Sequence, residues 1–331
     1  MTETMAGFES GYADVSDGGR LYWEHAGRGP VIVLIHAGLW DRRIWDAQME
    51  PFAESHRVVR YDLRGFGRSS PLEQPFSARE DLAGLLGALG IDQAALIGCS
   101  IGGGLAVDFA IEFPGSVSAL VAVCAGASGD PTDDDEATIR VLEEAEALAE
   151  AGEVDRAIEL ELGVWTPPGD DPSVDARIRE IAFDNKAAET AQWSLSRRLD
   201  PPAFGRLGEV SAPTLVVAGE RDASIMAPIT DNLAAGIPGA RKVVLPGADH
   251  LPRCAGPRSS TVSCWDSSTR SRCDQPTPAA SSSRVAVRSH VHSLATNRLT
   301  PDRSASRSSP GKSRIRSIPA AIRAGAPGPG S

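Results

Sequence analysis

The chain has 331 residues, a net charge of −11 and five cysteines. This length accommodates a core domain together with an accessory one. An acidic N-terminus and the lack of a long apolar run argue against a secretory signal and a membrane-spanning helix, and the cysteines form no regular framework. The composition therefore favours a soluble cytoplasmic protein with reduced thiols.

The charge is unevenly distributed along the chain. The 79 residues from Arg253 onward hold 13 Lys and Arg against 3 Asp and Glu, which leaves residues 1–252 with 20 basic and 41 acidic side chains. An acidic body of this kind repels the phosphates of nucleic acid. We expect no nucleic-acid and no membrane partner, and the sequence leaves the oligomeric state unknown.

Apolar runs predict the strands. Residues 11–25 have the pattern of a β-hairpin around a Gly-rich turn. Six uninterrupted apolar runs follow, each typical of a strand buried on both faces. They cover residues 31–35, 58–61, 94–97, 119–123, 214–218 and 242–245. Helical segments such as 78–89 and 103–112 separate most of them, which predicts an α/β fold with a mainly parallel central sheet and helices on both faces.

The strand–helix alternation stops between residues 129 and 203. Charged helical patterns at 133–151, 153–164 and 172–186 occupy this interval without a strand-like run. The sequence therefore predicts a helical cap inserted between two parts of one core, residues 1–128 and 204–252.

Residues 253–331 form a separate compositional segment. They contain 18 Ser, many Arg and Pro, and Trp265 as their one aromatic residue. So little apolar surface predicts a disordered basic tail. It could be an arm that binds nucleic acid or an anionic membrane, or the product of a shifted reading frame after Pro252, which the abrupt change of composition favours.

Ser100 is the candidate nucleophile. It lies in the pentapeptide Gly98-Cys99-Ser100-Ile101-Gly102, directly after a predicted strand and before a predicted helix. Small neighbours permit a sharp turn, and a helix N-terminus stabilises developing negative charge. The pentapeptide alone is common, so a plain strand–helix turn remains an alternative at this point.

Asp222 and His250 complete a candidate triad. Each follows a predicted strand, and the carboxyl ends of parallel strands meet at one edge of a sheet. The order Ser, Asp, His is the order that a nucleophile elbow of this type uses. We predict an oxyanion hole formed by the N–H of Ile101 and that of Gly38, with Leu39 as the alternative to Gly38. This chemistry calls for no cofactor and no metal.

The ordered set of motifs resembles the α/β-hydrolase superfamily, in its capped branch of esterases and 3-oxoadipate enol-lactonase-like enzymes. The matching motifs are His36-Ala37-Gly38, residues 61–69, the Ser100 elbow with Gly102-Gly103, residues 219–222 and residues 247–252. The resemblance covers residues 10–252. It implies Ser100 as nucleophile, Asp222 as acid, His250 as base, a mobile helical lid, and a structural role for His36.

Two departures from the family pattern are visible in the sequence. Ala37 stands where glycine is usual, and a long amphipathic helix normally follows the catalytic histidine. Here the basic Ser/Arg/Pro-rich segment follows His250 instead. We expect this departure to expose apolar sheet surface and to loosen the loop that carries the base.

The expected reaction is hydrolysis of a small carboxylic ester or lactone through an acyl-enzyme. Carbon–carbon bond hydrolysis and a perhydrolase or haloperoxidase-like activity use the same triad, and a receptor-like or inactive member of the fold is another class. A serine at the elbow argues against dehalogenases and epoxide hydrolases, which need a carboxylate there. Leu39, Trp165 and Trp193 are candidate substrate contacts, although packing among lid helices explains the tryptophans equally well.

Several other polar residues have ordinary explanations. Arg177, Arg179 and Arg197 could hold a substrate carboxylate, but surface salt bridges are the more common use of such residues. The last three cysteines are spaced too widely and evenly for a zinc site, and they are Cys254, Cys264 and Cys273.

Overall fold

The protein is built around one β-sheet. The structure is a computed structural model that describes residues 8–132, 135–188 and 195–251. Its eight strands in this part of the chain are β1 (Glu9–Asp14), β2 (Arg20–Ala26), β3 (Val31–Ile35), β4 (Arg57–Tyr61), β5 (Ala94–Cys99), β6 (Val117–Val123), β7 (Thr214–Gly219) and β8 (Arg241–Leu245). They lie in the order β1-β2-β4-β3-β5-β6-β7-β8.

Strand directions confirm the predicted fold class. β1 and β2 pair antiparallel, as expected for the hairpin, and β2 also pairs antiparallel with β4. The remaining neighbours from β4 to β8 all pair in parallel. Each of the six apolar runs lies within a strand, and residues 32–35 of β3 are fully buried because helices cover both sides of the sheet.

Two hydrophobic cores lie on the two faces of the sheet. The described residues form seven α-helices: α1 (Asp46–Ala53), α2 (Ala78–Ala88), α3 (Ile101–Glu112), α4 (Glu136–Glu150), α5 (Val154–Trp165), α6 (Pro172–Asp184) and α7 (Met226–Gly236). One core joins Val33, Leu96 and Val216 to side chains of α2, α3 and α7. The other joins the alternate strand residues to α1 and to side chains of α4, α5 and α6. Alternation of side chains along each strand produces this division.

Three helices, α4 to α6, occupy the interval in which the sequence predicts a cap. Their bounds lie within three residues of the predicted ones. Polar contacts join α6 and the residue after it to the loop after β3: Trp40 Nε1 donates to Ile178 O at 3.0 Å, and buried Asn185 donates to Asp41 Oδ2 at 2.8 Å. We call α4–α6 the helical insertion. Its use as a cap and the domain boundaries at 128 and 203 stay predictions.

Some predictions fall outside the described residues. These are the tail at 253–331 with its three cysteines, and the candidate substrate contact Trp193. Among the residues that the structure does describe, no helix combines the length and the apolar character needed to cross a bilayer.

Gly98→Ala tests how closely β5 and α3 approach each other. A Cβ at Gly98 would lie 2.2 Å from Gly102 O, a backbone atom that cannot move aside. We expect a loss of about 3 kcal/mol in the free energy of unfolding, measured in urea. The matched control is Gly87→Ala in α2, where a Cβ meets no heavy atom within 4 Å. This control should stabilise the protein by about 0.5–1 kcal/mol. Equal effects of the two substitutions would contradict the close approach.

Candidate active site

Ser100 lies on a strained turn between β5 and α3. Its backbone angles are φ 52° and ψ −118°, a conformation that L-residues rarely adopt and that costs on the order of 1–3 kcal/mol. Its N–H donates to Val123 O at 2.9 Å, which fixes the turn to β6. Ser100 is also the residue that precedes the first turn of α3, so it lies at the positive end of the helix dipole.

Glycines make this turn possible. A Cβ at Gly102 would lie 2.4 Å from His36 O, and a Cβ at Gly103 would lie 2.4 Å from the Ala125 side chain. The N-terminus of α3 therefore packs directly against the ends of β3 and β6. This close packing fixes where Ser100 stands relative to the loop that follows β3.

Asp222 and His250 form a buried hydrogen-bonded pair. They follow the adjacent parallel strands β7 and β8, and His250 Nδ1 lies 2.9 Å from Asp222 Oδ1. Each side chain is only 3% exposed. The two loops also touch through their backbones, since a Cβ at Gly219 would lie 2.3 Å from Asp249 O. Asp222 therefore holds the Nδ1 edge of the imidazole ring at the carboxyl end of the parallel strands.

Trp165 contacts His250 from the helical insertion. The two rings have centroids 4.4 Å apart and an interplanar angle of 35°. The His250 N–H also donates to Trp165 O at 3.3 Å. The sequence predicts Trp165 as a substrate contact, whereas the structure places it, almost fully buried, against the candidate base.

Ser100 approaches the pair through its own strand. The Cys99 Sγ lies 3.6 Å from His250 O, so the end of β5 adjoins the loop that carries His250. Within the described residues no hydrogen bond joins Ser100 to His250. In unliganded enzymes the bond between nucleophile and base is often long and tightens when substrate binds.

The loop after β3 packs against the start of α3. His36 is buried, donates from Nδ1 to Ala37 O at 2.7 Å, and accepts at Nε2 from the Leu63 N–H at 2.9 Å. Burial lowers the pKa of His36, so the ring is neutral, and its two hydrogen bonds join the loop after β3 to the loop after β4. A Cβ at Gly38 would lie 3.7 Å from Ile101 Cδ1, which puts the two predicted oxyanion donors on adjoining segments.

Leu39, and not Gly38, has the unusual backbone conformation in this loop. Leu39 has φ 64°, whereas Gly38 has no positive φ and has room for a Cβ. The conformational freedom of glycine is therefore not the reason for a glycine at position 38. Which of the two N–H groups serves the oxyanion stays a prediction.

Buried charge pairs stabilise the loop after β3. Asp62 is fully buried, and it accepts from the Arg42 guanidinium at 2.9 Å and from the Arg68 N–H at 2.9 Å. Burial raises the pKa of Asp41, but hydrogen bonds from Arg43 and Asn185 outweigh it and lower the pKa to about 2. Paired charges of this kind are costly to break, because one partner would stay buried alone.

An apolar cavity lies beside the candidate site. It has a volume of about 230 Å³ and reaches the ends of four strands through Cys99, Val123, Val217 and Leu245. Segment 43–48 and helix α6 line its other sides. Ser100, Asp222 and His250 do not line it, whereas Arg177 of α6 does. The three arginines considered as carboxylate ligands form ion pairs: Arg177 with Glu180 and Asp46, Arg179 with Glu159, and Arg197 with Glu80.

Sequence reasoning missed two polar residues at this edge. Cys124 follows β6 as Ser100, Asp222 and His250 follow β5, β7 and β8, and it lies against Asp222. Asp249 is buried next to His250. The rule that gathers functional residues at strand ends could have found Cys124, but a cysteine after an apolar run is usually explained as core.

Comparisons with known proteins agree with this geometry. A sequence model described as the alpha/beta hydrolase fold matches residues 30–252. A curated relative, the 2-hydroxy-6-oxo-6-phenylhexa-2,4-dienoate hydrolase of Burkholderia cepacia, is 25% identical over 276 residues, which span 76% of this chain and 93% of that protein. The enol-lactonase structure from Burkholderia xenovorans LB400 is similar, with a TM-score of 0.60 and 26% identity over 73% of this chain and 93% of that one. The thermophilic esterase from Thermogutta terrifontis gives a TM-score of 0.59 and 28% identity, covering 74% and 92%.

A mainly parallel sheet covered by helices, with the candidate site residues gathered at its carboxyl edge, is typical of one class of α/β enzyme. The chain belongs to the α/β-hydrolase fold family. The relatives and structural neighbours named above are hydrolases, and the chain is an α/β-hydrolase enzyme.

Asp249→Asn tests the electrostatics of the loop that carries His250. Burial raises the pKa of Asp249 to about 7. The charge of His250 acts to lower this pKa, and the charge of Asp222 acts to raise it. The ordinary pKa is about 3.9, so the folded chain binds more protons between about pH 4 and pH 7 and loses stability as the pH rises through that window. We expect the free energy of unfolding of Asp249→Asn, minus that of the wild type, to increase by about 2–4 kcal/mol from pH 4 to pH 8.

The measurement is urea unfolding at several pH values, in which the titration of all other carboxylates cancels in the difference. Asp92→Asn, at an exposed loop position, is the matched control for removing a carboxylate. A difference between Asp249→Asn and the wild type that does not change with pH would contradict the raised pKa.

Proposed function

We propose that the chain is a serine hydrolase that cleaves a small carboxylic ester or lactone through an acyl-enzyme. The observation that carries the proposal is the 2.9 Å hydrogen bond between Asp222 and His250, at the same sheet edge as the strained turn of Ser100. A nucleophile, a base, and a group that orients the base are the three parts that such chemistry needs.

Each residue has a defined step in the proposed mechanism. His250 Nε2 accepts the Ser100 proton as the Oγ attacks the acyl carbon, and Asp222 keeps the other ring proton on Nδ1 and stabilises the imidazolium. The N–H groups of Ile101 and Gly38 receive the oxyanion. His250 then gives its proton to the leaving alcohol and later activates the water that releases the acid. The scheme uses no metal and no cofactor.

The surroundings of the site support a small, largely apolar substrate. Trp165 covers the His250 ring and Leu39 is buried in the loop after β3, so apolar side chains border the site. Burial of this kind excludes water and strengthens the hydrogen bonds to the reacting groups. We propose that the helical insertion acts as the cap over this substrate.

The free thiols support a proposal about location. Cys99 and Cys124 are buried and form no disulfide. Reduced cysteines are typical of the cytoplasm, which is the location we propose.

Carbon–carbon bond hydrolysis is a second candidate. Two curated relatives carry the name 2-hydroxy-6-oxo-6-phenylhexa-2,4-dienoate hydrolase, and they are 25% and 26% identical to this chain. Against it stand the enol-lactonase and esterase neighbours, which have similar identity. The same nucleophile and base serve both reactions, so the choice depends on the substrate.

Ser100→Ala tests the nucleophile. Removing the Oγ leaves the fold and the Asp222–His250 pair in place but removes the atom that attacks, so we expect p-nitrophenyl acetate turnover to fall by about 10⁴-fold or more. A fluorophosphonate probe should label the wild type and not the variant. Ser10→Ala, at an exposed position of β1, should keep both the ester turnover and the labelling by the probe. A Ser100→Ala enzyme with unchanged kcat would refute the assignment, and an unlabelled but folded wild type would favour a receptor-like protein.

A substrate panel tests the reaction class. We expect kcat/KM for small esters or lactones to exceed that for vinylogous β-diketone substrates by about tenfold or more, which corresponds to about 1.4 kcal/mol of differential transition-state binding. Esters and lactones of graded acyl length would be compared with such a diketone on the same enzyme preparation. The opposite ranking would establish the carbon–carbon hydrolase instead.

A further inference from the structure

Cys124 occupies a strained and fully buried position at the end of β6. Its φ is 46°, in the left-handed region that a non-glycine residue rarely adopts, and its N–H donates to Val217 O at 2.7 Å. Its thiol lies 3.8 Å from Asp249 O. Strained residues persist only where the surrounding structure determines them strongly, and they are common at functional sites.

The thiol belongs to a cluster of three potential metal ligands. One atom each from Cys124 (Sγ), Asp222 (a carboxylate oxygen) and His250 (a ring nitrogen) lie within 4.8 Å of one another. The Asp222 and His250 side chains are each only 3% exposed, so both are more than nine-tenths buried. The cluster is therefore shielded from water, unlike a group of acidic residues on a surface.

One oxygen of Asp222 lacks a strong hydrogen-bond donor. Oδ1 lies 2.9 Å from His250 Nδ1 and accepts the Ala223 N–H at 2.8 Å. Oδ2 is buried and accepts no N–H or O–H donor among the described residues, and the Cys124 thiol, a weak donor, lies against this carboxylate. A buried carboxylate oxygen in this state is unfavourable, and a cation beside it would remove the cost.

We propose that Cys124, Asp222 and His250 form an inhibitory site for a thiophilic divalent cation such as Zn²⁺ or Cd²⁺. Cysteine, histidine and carboxylate are the ligands that zinc prefers, and three of them with a fourth position for water form a common tetrahedral arrangement. Zinc–ligand bonds of about 2.0–2.3 Å put the ligand atoms about 3.5 Å apart, so the widest separation in the cluster shortens by about 1 Å around the ion.

Inhibition follows from the two nitrogens of His250. A cation on Nδ1 displaces the proton that Nδ1 shares with Asp222, and the neutral ring then carries its proton on Nε2. Nε2 can no longer accept the Ser100 proton. The inference thus rests on the proposed function for its effect on activity, whereas cation binding itself does not.

Binding also releases a proton from the thiol. Burial and the Asp222 carboxylate raise the pKa of the Cys124 thiol well above its ordinary value. The metal therefore displaces one thiol proton to solvent as the Sγ–metal bond forms.

The experiment uses the full chain with the cysteines beyond Pro252 changed to serine, that is Cys254→Ser, Cys264→Ser and Cys273→Ser. Cys99 and Cys124 then remain as its thiols. Titration with Cd²⁺ is followed by the ultraviolet charge-transfer band of a cadmium thiolate, and hydrolysis is measured on the same samples. We expect one ion per chain, with binding and loss of activity at the same concentration, and reversal by a chelator.

Variants assign the site. Adding Cys124→Ala should remove the band and weaken inhibition at least tenfold, relative to the uninhibited rate of that variant. Cys99→Ala is the matched control, because it removes the other buried thiol and should leave binding intact. Ser100→Ala should bind Cd²⁺ as before although it does not hydrolyse ester, so a failure of the proposed function is distinguishable from a failure of this site.

The opposing results are equally defined. A folded three-serine chain without a thiolate band, or a band and inhibition that persist in Cys124→Ala, would overturn the proposal. If Cys124→Ala does not fold, Cys124→Ser replaces it, and the absence of binding to the folded three-serine chain decides against the site without either variant.

Discussion

The contact between the backbones of β5 and α3 is the constraint on which the site depends. Gly98, Gly102 and Gly103 leave no room for a Cβ between the end of the strand and the first turn of the helix. Chain segments at this distance force a sharp reversal, and Ser100 takes the left-handed conformation that completes it. The same contact brings His36 O against Gly102, so one approach positions both the candidate nucleophile and the loop that carries the predicted oxyanion donors.

Parallel strands extend this constraint to the other site residues. β5, β6, β7 and β8 are consecutive in the sheet. Ser100 and Cys124 directly follow β5 and β6, and Asp222 and His250 lie a few residues after the ends of β7 and β8. No single loop carries the chemistry. Because each side chain follows a different strand, the positions of these residues depend on the sheet register, and the pairing of Gly219 with Leu245 sets the spacing of Asp222 and His250.

The sequence was sufficient for the sheet and for some of the helices. The strands were predictable because buried parallel strands consist of uninterrupted apolar runs. α2 and α6 were predictable from their helical patterns, and each begins after a residue, Ser77 or Asp171, that caps it through side-chain hydrogen bonds. α1 and α7 have no such cap, and α1 has Pro51 in its interior, so neither carried a start signal. The contact of Trp165 with His250 and the pairing of Cys124 with Asp222 depend on tertiary packing, which no local pattern encodes.

The same packing changes what the departure from the family pattern implies for His250. A loop that depended only on a following helix would be loose when that helix is replaced. Here Asp222, which follows β7, holds the imidazole, the backbone N–H of His250 donates to Trp165 O in the helical insertion, and the backbone carbonyl of His250 lies against the Cys99 thiol of β5. Three supports from three parts of the chain restrict one residue, which is how a strained or demanding position is maintained. The candidate base is therefore restrained by contacts from the core and from the helical insertion, and the expected loosening of its loop stays a prediction.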